Sequence, residues 1–123
     1  MLDHLSIQCT DVAAAKSFYD TVLGTVGGKR LMEFGDVVGY GVGFPNFWIG
    51  PLVSGEPNRE VHIAFQAPDR ASVDAFFEAA TGLGADVIQA PRVCPEYNPS
   101  YYGAFVRDPD GNNVEAVCHA PEG

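Results

Sequence analysis

Asp3-His4-Leu5-Ser6-Ile7-Gln8-Cys9-Thr10-Asp11 returns later in the chain as Val61-His62-Ile63-Ala64-Phe65-Gln66-Ala67-Pro68-Asp69. His, Gln and Asp recur at a constant offset of 58 residues, and the agreement runs on through Ala13/Ala71, Phe18/Phe76 and Gly24/Gly82. Self-similarity at one fixed offset marks a duplicated structural unit. Between the matched positions apolar residues alternate with small or polar ones, which is the pattern of a half-buried strand. Leu5, Ile7 and Cys9 lie on one face, as do Val61, Ile63 and Phe65 in the second copy. His4, Ser6 and Gln8, and likewise His62, Ala64 and Gln66, lie on the other.

Working outward, each strand leads into a helix. Thr10 or Asp11 supplies the first N-cap, and Val12, Ala15, Phe18, Tyr19 and Val22 follow at helical spacing. Asp69 caps the second, with Val73, Phe76, Phe77 and Ala80 on one stripe, and Gly24 and Gly82 stand where the helices stop. Strand patterns then return over about 28–34, 37–44 and 47–50 in the first half, and 85–90, 101–107 and 113–119 in the second. Asp108-Pro109-Asp110-Gly111 is a turn that makes a hairpin of the last two. Residues 91–99, with Pro91, Pro95 and Pro99, read as an extended loop that serves as a lid or a pocket wall. The expected fold is α+β: two βαβββ modules whose curved sheets pair around a shared cavity. Residues 1–123 form one domain, with module one about 1–52, a Gly/Pro connector about 51–59 and module two about 60–119.

Composition narrows the partners. Seven Lys and Arg against 16 Asp and Glu give a formal charge of −9, which argues against nucleic acid and against an anionic membrane surface. No apolar run reaches the roughly 20 residues of a membrane span, and Asp3 stands where a signal peptide would be basic. Cys9, Cys94 and Cys118 are an odd number without CxxC spacing, which points to a reducing, cytoplasmic setting.

Chemistry concentrates in three residues. His4 and His62 occupy equivalent positions on equivalent strands, on the face away from the helices. In Asn113-Val114-Glu115-Ala116-Val117-Cys118-His119, alternation turns Asn113, Glu115, Val117 and His119 the same way. Two imidazoles and one carboxylate are the facial set that holds Fe(II), Mn(II) or Zn(II) and leaves positions open for a substrate. A lone strand histidine is ordinarily a hydrogen-bonded residue and no ligand. Two related by a repeat, beside an otherwise unexplained strand glutamate, shift the balance toward a metal. Tyr40, Phe47, Trp48 and Tyr97 are candidate cavity walls, with Gln8 and Gln66 as hydrogen-bonding groups. Of Tyr101 and Tyr102, only one can face inward, where it would orient a substrate oxygen or donate a proton.

This duplication resembles the vicinal oxygen chelate superfamily, which includes glyoxalase I, extradiol dioxygenases, fosfomycin-modifying enzymes and bleomycin-resistance proteins. The resemblance rests on His4, on Val61-His62-Ile63-Ala64-Phe65, and on Asp108-Pro109-Asp110-Gly111-Asn112-Asn113-Val114-Glu115, and it spans essentially the whole chain. It implies a metal in the cupped cavity, modules paired within one chain or across a homodimer, and a small substrate chelating the ion through vicinal oxygens. Glyoxalase I has a further carboxylate on the last strand of its first module. Here that strand reads Phe47-Trp48-Ile49-Gly50, and Glu56 lies beyond it in the connector. Ordinary glyoxalase I chemistry, which needs a positioned base, is therefore disfavoured.

The expectation is a metal-dependent lyase or extradiol-type dioxygenase in which His4, His62 and Glu115 hold iron, manganese, zinc or nickel. The rival is a bleomycin-resistance-like protein that sequesters a cationic or aromatic ligand without catalysis. The acidic charge and the aromatic residues favour that rival; the complete His/His/Glu set argues against it.

Overall fold

Chain order in the computed structural model, which describes residues 1–121, is β1 (Leu5–Cys9), α1 (Val12–Gly24), β2 (Lys29–Phe34), β3 (Val37–Gly41) and β4 (Phe47–Pro51). It continues through β5 (His62–Gln66), α2 (Arg70–Gly82), β6 (Val87–Val93), β7 (Tyr102–Arg107) and β8 (Asn113–Cys118). The strands form two four-stranded sheets, ordered β1-β4-β3-β2 and β5-β8-β7-β6. In each, the first strand pairs in parallel with the last and the remaining pairs are antiparallel. Each half is thus βαβββ, and the two have the same topology. No helix among the described residues is long and apolar enough to cross a membrane.

Local chemistry sets the helix ends. The Asp11 carboxylate accepts from Ala14 N and the Asp69 carboxylate from Ser72 N, so each helix starts with a side-chain cap. The last helical residues are Gly24 and Gly82, as the spacing predicts. Each helix covers one face of its sheet. Tyr19, Val22, Tyr40, Phe47 and Ile49 fill the first layer, and Val73, Phe76, Val106, Val114 and Ala116 the second; all are buried and join in one core. The Tyr19 and Phe47 rings also meet Phe65, so apolar packing is continuous from one module to the other.

The edge strand β6 differs from expectation. It runs to Val93 and takes in Pro91, where the sequence reads as loop. Its pairing with β7 shifts register between Gln89 and Arg92, and an edge strand with such an irregularity accommodates a residue lacking N–H.

A buried carboxylate joins the halves. Asp108 accepts from Asp110 N at 3.0 Å and Asn112 N at 2.9 Å, which shapes the turn between β7 and β8. It also accepts from Asn112 Nδ2 at 2.9 Å and from the Tyr19 hydroxyl of α1 at 2.6 Å. Asn112 Oδ1 in turn accepts from Val61 N at 3.0 Å, and the Asp110 carboxylate accepts from Thr10 N at 3.2 Å. One turn of module two therefore holds the start of β5, the β1–α1 junction at Thr10 and the middle of α1 at Tyr19. Removing one neutral donor from a buried, charged acceptor costs about 1.5–3 kcal/mol. Tyr19→Phe is expected to lower unfolding free energy by that amount without altering the urea m-value, as measured by chemical denaturation.

Candidate functional site

The second sheet turns β5 and β8 side by side with Ala64 opposite Glu115 and His62 opposite Asn113. Alternation sends Ile63, Val114 and Ala116 toward α2, leaving His62, Ala64, Gln66, Asn113 and Glu115 on the outer face. On that face His62 Nε2 donates to Glu115 Oε1 at 2.6 Å. The imidazole is half exposed, whereas the carboxylate is 1% exposed. Burying a carboxylate this deeply is costly unless both oxygens are engaged. The second oxygen, Oε2, accepts the hydroxyl of Tyr101. The Phe105 ring, opposite Glu115 on β7, packs 5.9 Å from the His62 ring and shields the pair from one side.

Tyr101 is itself enclosed. The Tyr97 ring lies 4.9 Å away, and the His119 ring stands perpendicular to it at 5.2 Å. Asn98 Nδ2 donates to His119 Nδ1 at 3.3 Å, tying the loop after β6 to the end of β8. Burial, followed by the Glu115 carboxylate it bonds, pushes the Tyr101 phenol above its ordinary pKa. Tyr102 points the other way: its hydroxyl donates to Asp74 of α2 at 2.6 Å, and Arg70 lies over its ring at 5.0 Å. Strand alternation thus assigns the Glu115 side to Tyr101 alone.

The remaining sequence candidates are dispersed. His4 precedes β1 and is exposed, its Nδ1 donating to Asp3 at 2.8 Å. Among the described residues no group of three or more His, Cys, Asp or Glu side chains is close enough to hold a metal ion, so His4 does not join His62 and Glu115 within one chain. Gln8 is half-buried on the outer face of the first sheet, its backbone N–H donating to Asn58 Oδ1. Trp48 lies on that same face, over Gly39 and stacked with Phe34 at 6.1 Å. A Cβ at Gly39 would meet the indole at 2.7 Å, so only glycine permits this placement.

Tyr40 and Phe47 belong to the helix-side core and do not share the face of Glu115. Tyr40 donates to Asp20 at 2.8 Å. Together with Phe65, Gln66, Val42 and Phe44 they border an open groove of about 700 Å³ at the module junction. Tyr97 is largely exposed, against Tyr101. Phe105 and Asn98 join the cluster without having been singled out from sequence. The alternation that places Glu115 outward also places Phe105, its cross-strand partner, but only once the β7–β8 register is known.

The repeat gives a further comparison. Ser6 pairs with Trp48 in the first sheet as Ala64 pairs with Glu115 in the second, so Trp48 occupies the position related to Glu115 by the duplication. A model of the glyoxalase/bleomycin resistance protein/dioxygenase superfamily matches residues 1–116. The chain belongs to this superfamily. Among solved structures, a glyoxalase/bleomycin resistance protein from Albidiferax ferrireducens is similar at 27% identity and a TM-score of 0.82, covering 94% of this chain and 96% of that one. A glyoxalase/bleomycin resistance protein/dioxygenase family enzyme from Burkholderia phytofirmans has 20% identity and a TM-score of 0.75, with 97% and 98% covered. Lactoylglutathione lyase from Agrobacterium tumefaciens has 22% identity and a TM-score of 0.67, with 94% and 90% covered. The latter two share the fold. No relative was found among curated proteins.

The superfamily commonly uses divalent metals, and the donor types of the His62–Glu115 pair suit one: a borderline imidazole nitrogen beside a hard carboxylate oxygen, facing the same side of one sheet. The pair supplies two donors of a set that usually needs at least three from protein. In the free chain, the protonation states of Tyr19, Tyr40 and Tyr101 are testable. Burial is the leading cause that raises all three phenols, and Asp108, Asp20 and Glu115 respectively add to it. Above the ordinary phenol pKa of about 10 the unfolded chain then binds fewer protons than the folded one, so stability falls as pH rises. Absorbance titration at 295 nm is expected to show these three ionising only with alkaline unfolding, and Tyr101→Phe to leave the phenolate signal below that transition unchanged.

Proposed function

We propose that this superfamily member is a metal-dependent enzyme acting on a small molecule that presents two neighbouring oxygens. His62 and Glu115 of one chain, together with His4 of a second copy, would hold the divalent ion, which would take the place of the proton that His62 Nε2 now shares with Glu115. The observation that carries the reading is the His62–Glu115 pair: a buried carboxylate and a half-exposed imidazole that no third His, Cys, Asp or Glu joins among the described residues. Its repeat-related histidine, His4, stands exposed just before β1 of the other sheet. A homodimer that sets the first sheet of one copy against the second sheet of the other would complete two identical sites, as a two-fold interface requires. When bound, such an ion would act as Lewis acid and template for the chelating substrate.

The residues of the chain divide the remaining work. Phe105 and the buried strand flank of Glu115 keep water from one side of the site. Tyr101 orients the carboxylate, and Asn113 Oδ1, buried without a hydrogen-bond partner among the described residues, offers an acceptor beside His62. Trp48 and Phe34 supply an aromatic surface from the first sheet on which a flat substrate would rest. Because Trp48 stands where the repeat would place a second carboxylate, this reading favours Lewis-acid or oxygen chemistry over the proton shuttling of an ordinary glyoxalase I. Buried free cysteines and an acidic surface accord with a cytoplasmic location.

The experiment is complementation. The protein is purified anaerobically without an affinity tag, and metal is counted by native mass spectrometry. Wild type is expected to carry about one divalent ion per chain, and His4→Ala and His62→Ala dimers none. Co-expression of the two variants should yield mixed dimers with one restored site, because one His4 and one His62 still meet. Mixed dimers without metal would place the site within single chains. Wild type that takes up no ion after reconstitution with iron, manganese, zinc and nickel would overturn the enzyme reading.

A further inference from the structure

We infer that Tyr101 is a positioning residue that fixes how Glu115 presents its carboxylate to a divalent ion. The inference rests on the reading of Glu115 as an ion ligand. Oε1 of Glu115 is turned toward His62 Nε2, whereas Oε2 accepts the Tyr101 hydroxyl. An ionised carboxylate can offer both oxygens to one ion. With Oε2 held by an O–H donor, Glu115 offers only Oε1 on the side of His62. The hydroxyl therefore selects one-oxygen over two-oxygen coordination, an outer-shell contact of the kind that sets ligand geometry and affinity.

The surroundings of Tyr101 are built to keep it there. Its ring is braced by Tyr97 and by the perpendicular His119. Its backbone is locked on both sides, with Cys94 N donating to Tyr101 O at 2.7 Å and Tyr101 N to Asn98 O at 3.2 Å. Beneath it, a Cβ at Gly103 would come within 3.2 Å of Tyr101 Cε1 and 3.4 Å of Glu115 Oε2. The absent side chain leaves the phenol room to reach the carboxylate. A purely structural role, satisfying a buried oxygen, would explain the hydrogen bond but would leave ion coordination unaffected.

Co(II) separates the two roles, because its d–d absorption reports coordination number and ligand geometry. Wild type, Tyr101→Phe, Gly103→Ala and His62→Ala are each titrated with Co(II), followed by absorbance and calorimetry, with unfolding curves measured in parallel. Tyr101→Phe is expected to bind Co(II) about 10-fold or more weakly and to show an altered d–d spectrum. Gly103→Ala, which keeps the hydroxyl but crowds it, should shift the spectrum in the same direction. Equal affinity and spectrum in wild type and Tyr101→Phe would overturn the inference while leaving the ion site intact. Should Tyr101→Phe fail to fold, Gly103→Ala decides: an unchanged spectrum overturns the inference. Wild type binding no Co(II), or binding it as well after His62→Ala, would overturn the ligand reading of Glu115 and this inference with it.

Discussion

The Asp108 carboxylate is the constraint on which the rest of this molecule depends. Its two oxygens take four donors, from Asp110 N, Asn112 N, Asn112 Nδ2 and the Tyr19 hydroxyl. The first two shape the turn into β8, and so set which residues of β8 face outward. Asn112, held by the third, passes the constraint on to Val61 at the head of β5. The fourth fixes α1 of the other module. The position of Glu115 against His62 is thus decided seven residues upstream, by a group that takes no part in the site. Burial and four hydrogen bonds support one another here: each donor offsets part of the cost of removing the carboxylate from water.

Duplication has produced two halves with one topology and different chemistry. The pairing of Ser6 with Trp48 and of Ala64 with Glu115 is the same position in two copies. Opposite Trp48 stands Gly39, and opposite Glu115 stands Phe105. Each pair combines one large and one small or polar side chain, but the bulk lies on different strands. The first half accordingly offers a flat aromatic surface and the second a shielded carboxylate. This asymmetry explains why His62 has an acidic partner across its sheet, whereas His4 bonds its chain neighbour Asp3.

Much of the fold was legible because its signals are local or repeated. Asp11, Asp69, Gly24 and Gly82 act at the helix ends through the groups next to them, and the 58-residue offset carried the first module's reading to the second. The outward direction of Glu115 followed from alternation within one strand. What sequence left open depends on register between strands and on packing at a distance. Tyr101 and Tyr102 are neighbours with identical side chains, and only the pairing of β7 with β8 and the position of Asp74 on α2 tell them apart. Tyr40 and Phe47 resemble cavity aromatics in composition, but their faces are set by α1, which buries them. Pro91 looks like a strand breaker until β6 is known to be an edge.

The bond between Tyr19 and Asp108 spans 89 residues, from the first helix to the last hairpin. A chain emerging from the ribosome exposes all of module one, and most of module two, before this partner is available. Until then Tyr19 has a hydroxyl to bury and no acceptor for it, and the seam around Phe65 has nothing to clamp it shut. The tie that locks the early half is thus delivered by the late half. A nascent fragment ending before residue 108 would be loosely packed prey for proteases, whereas the finished chain closes at a stroke.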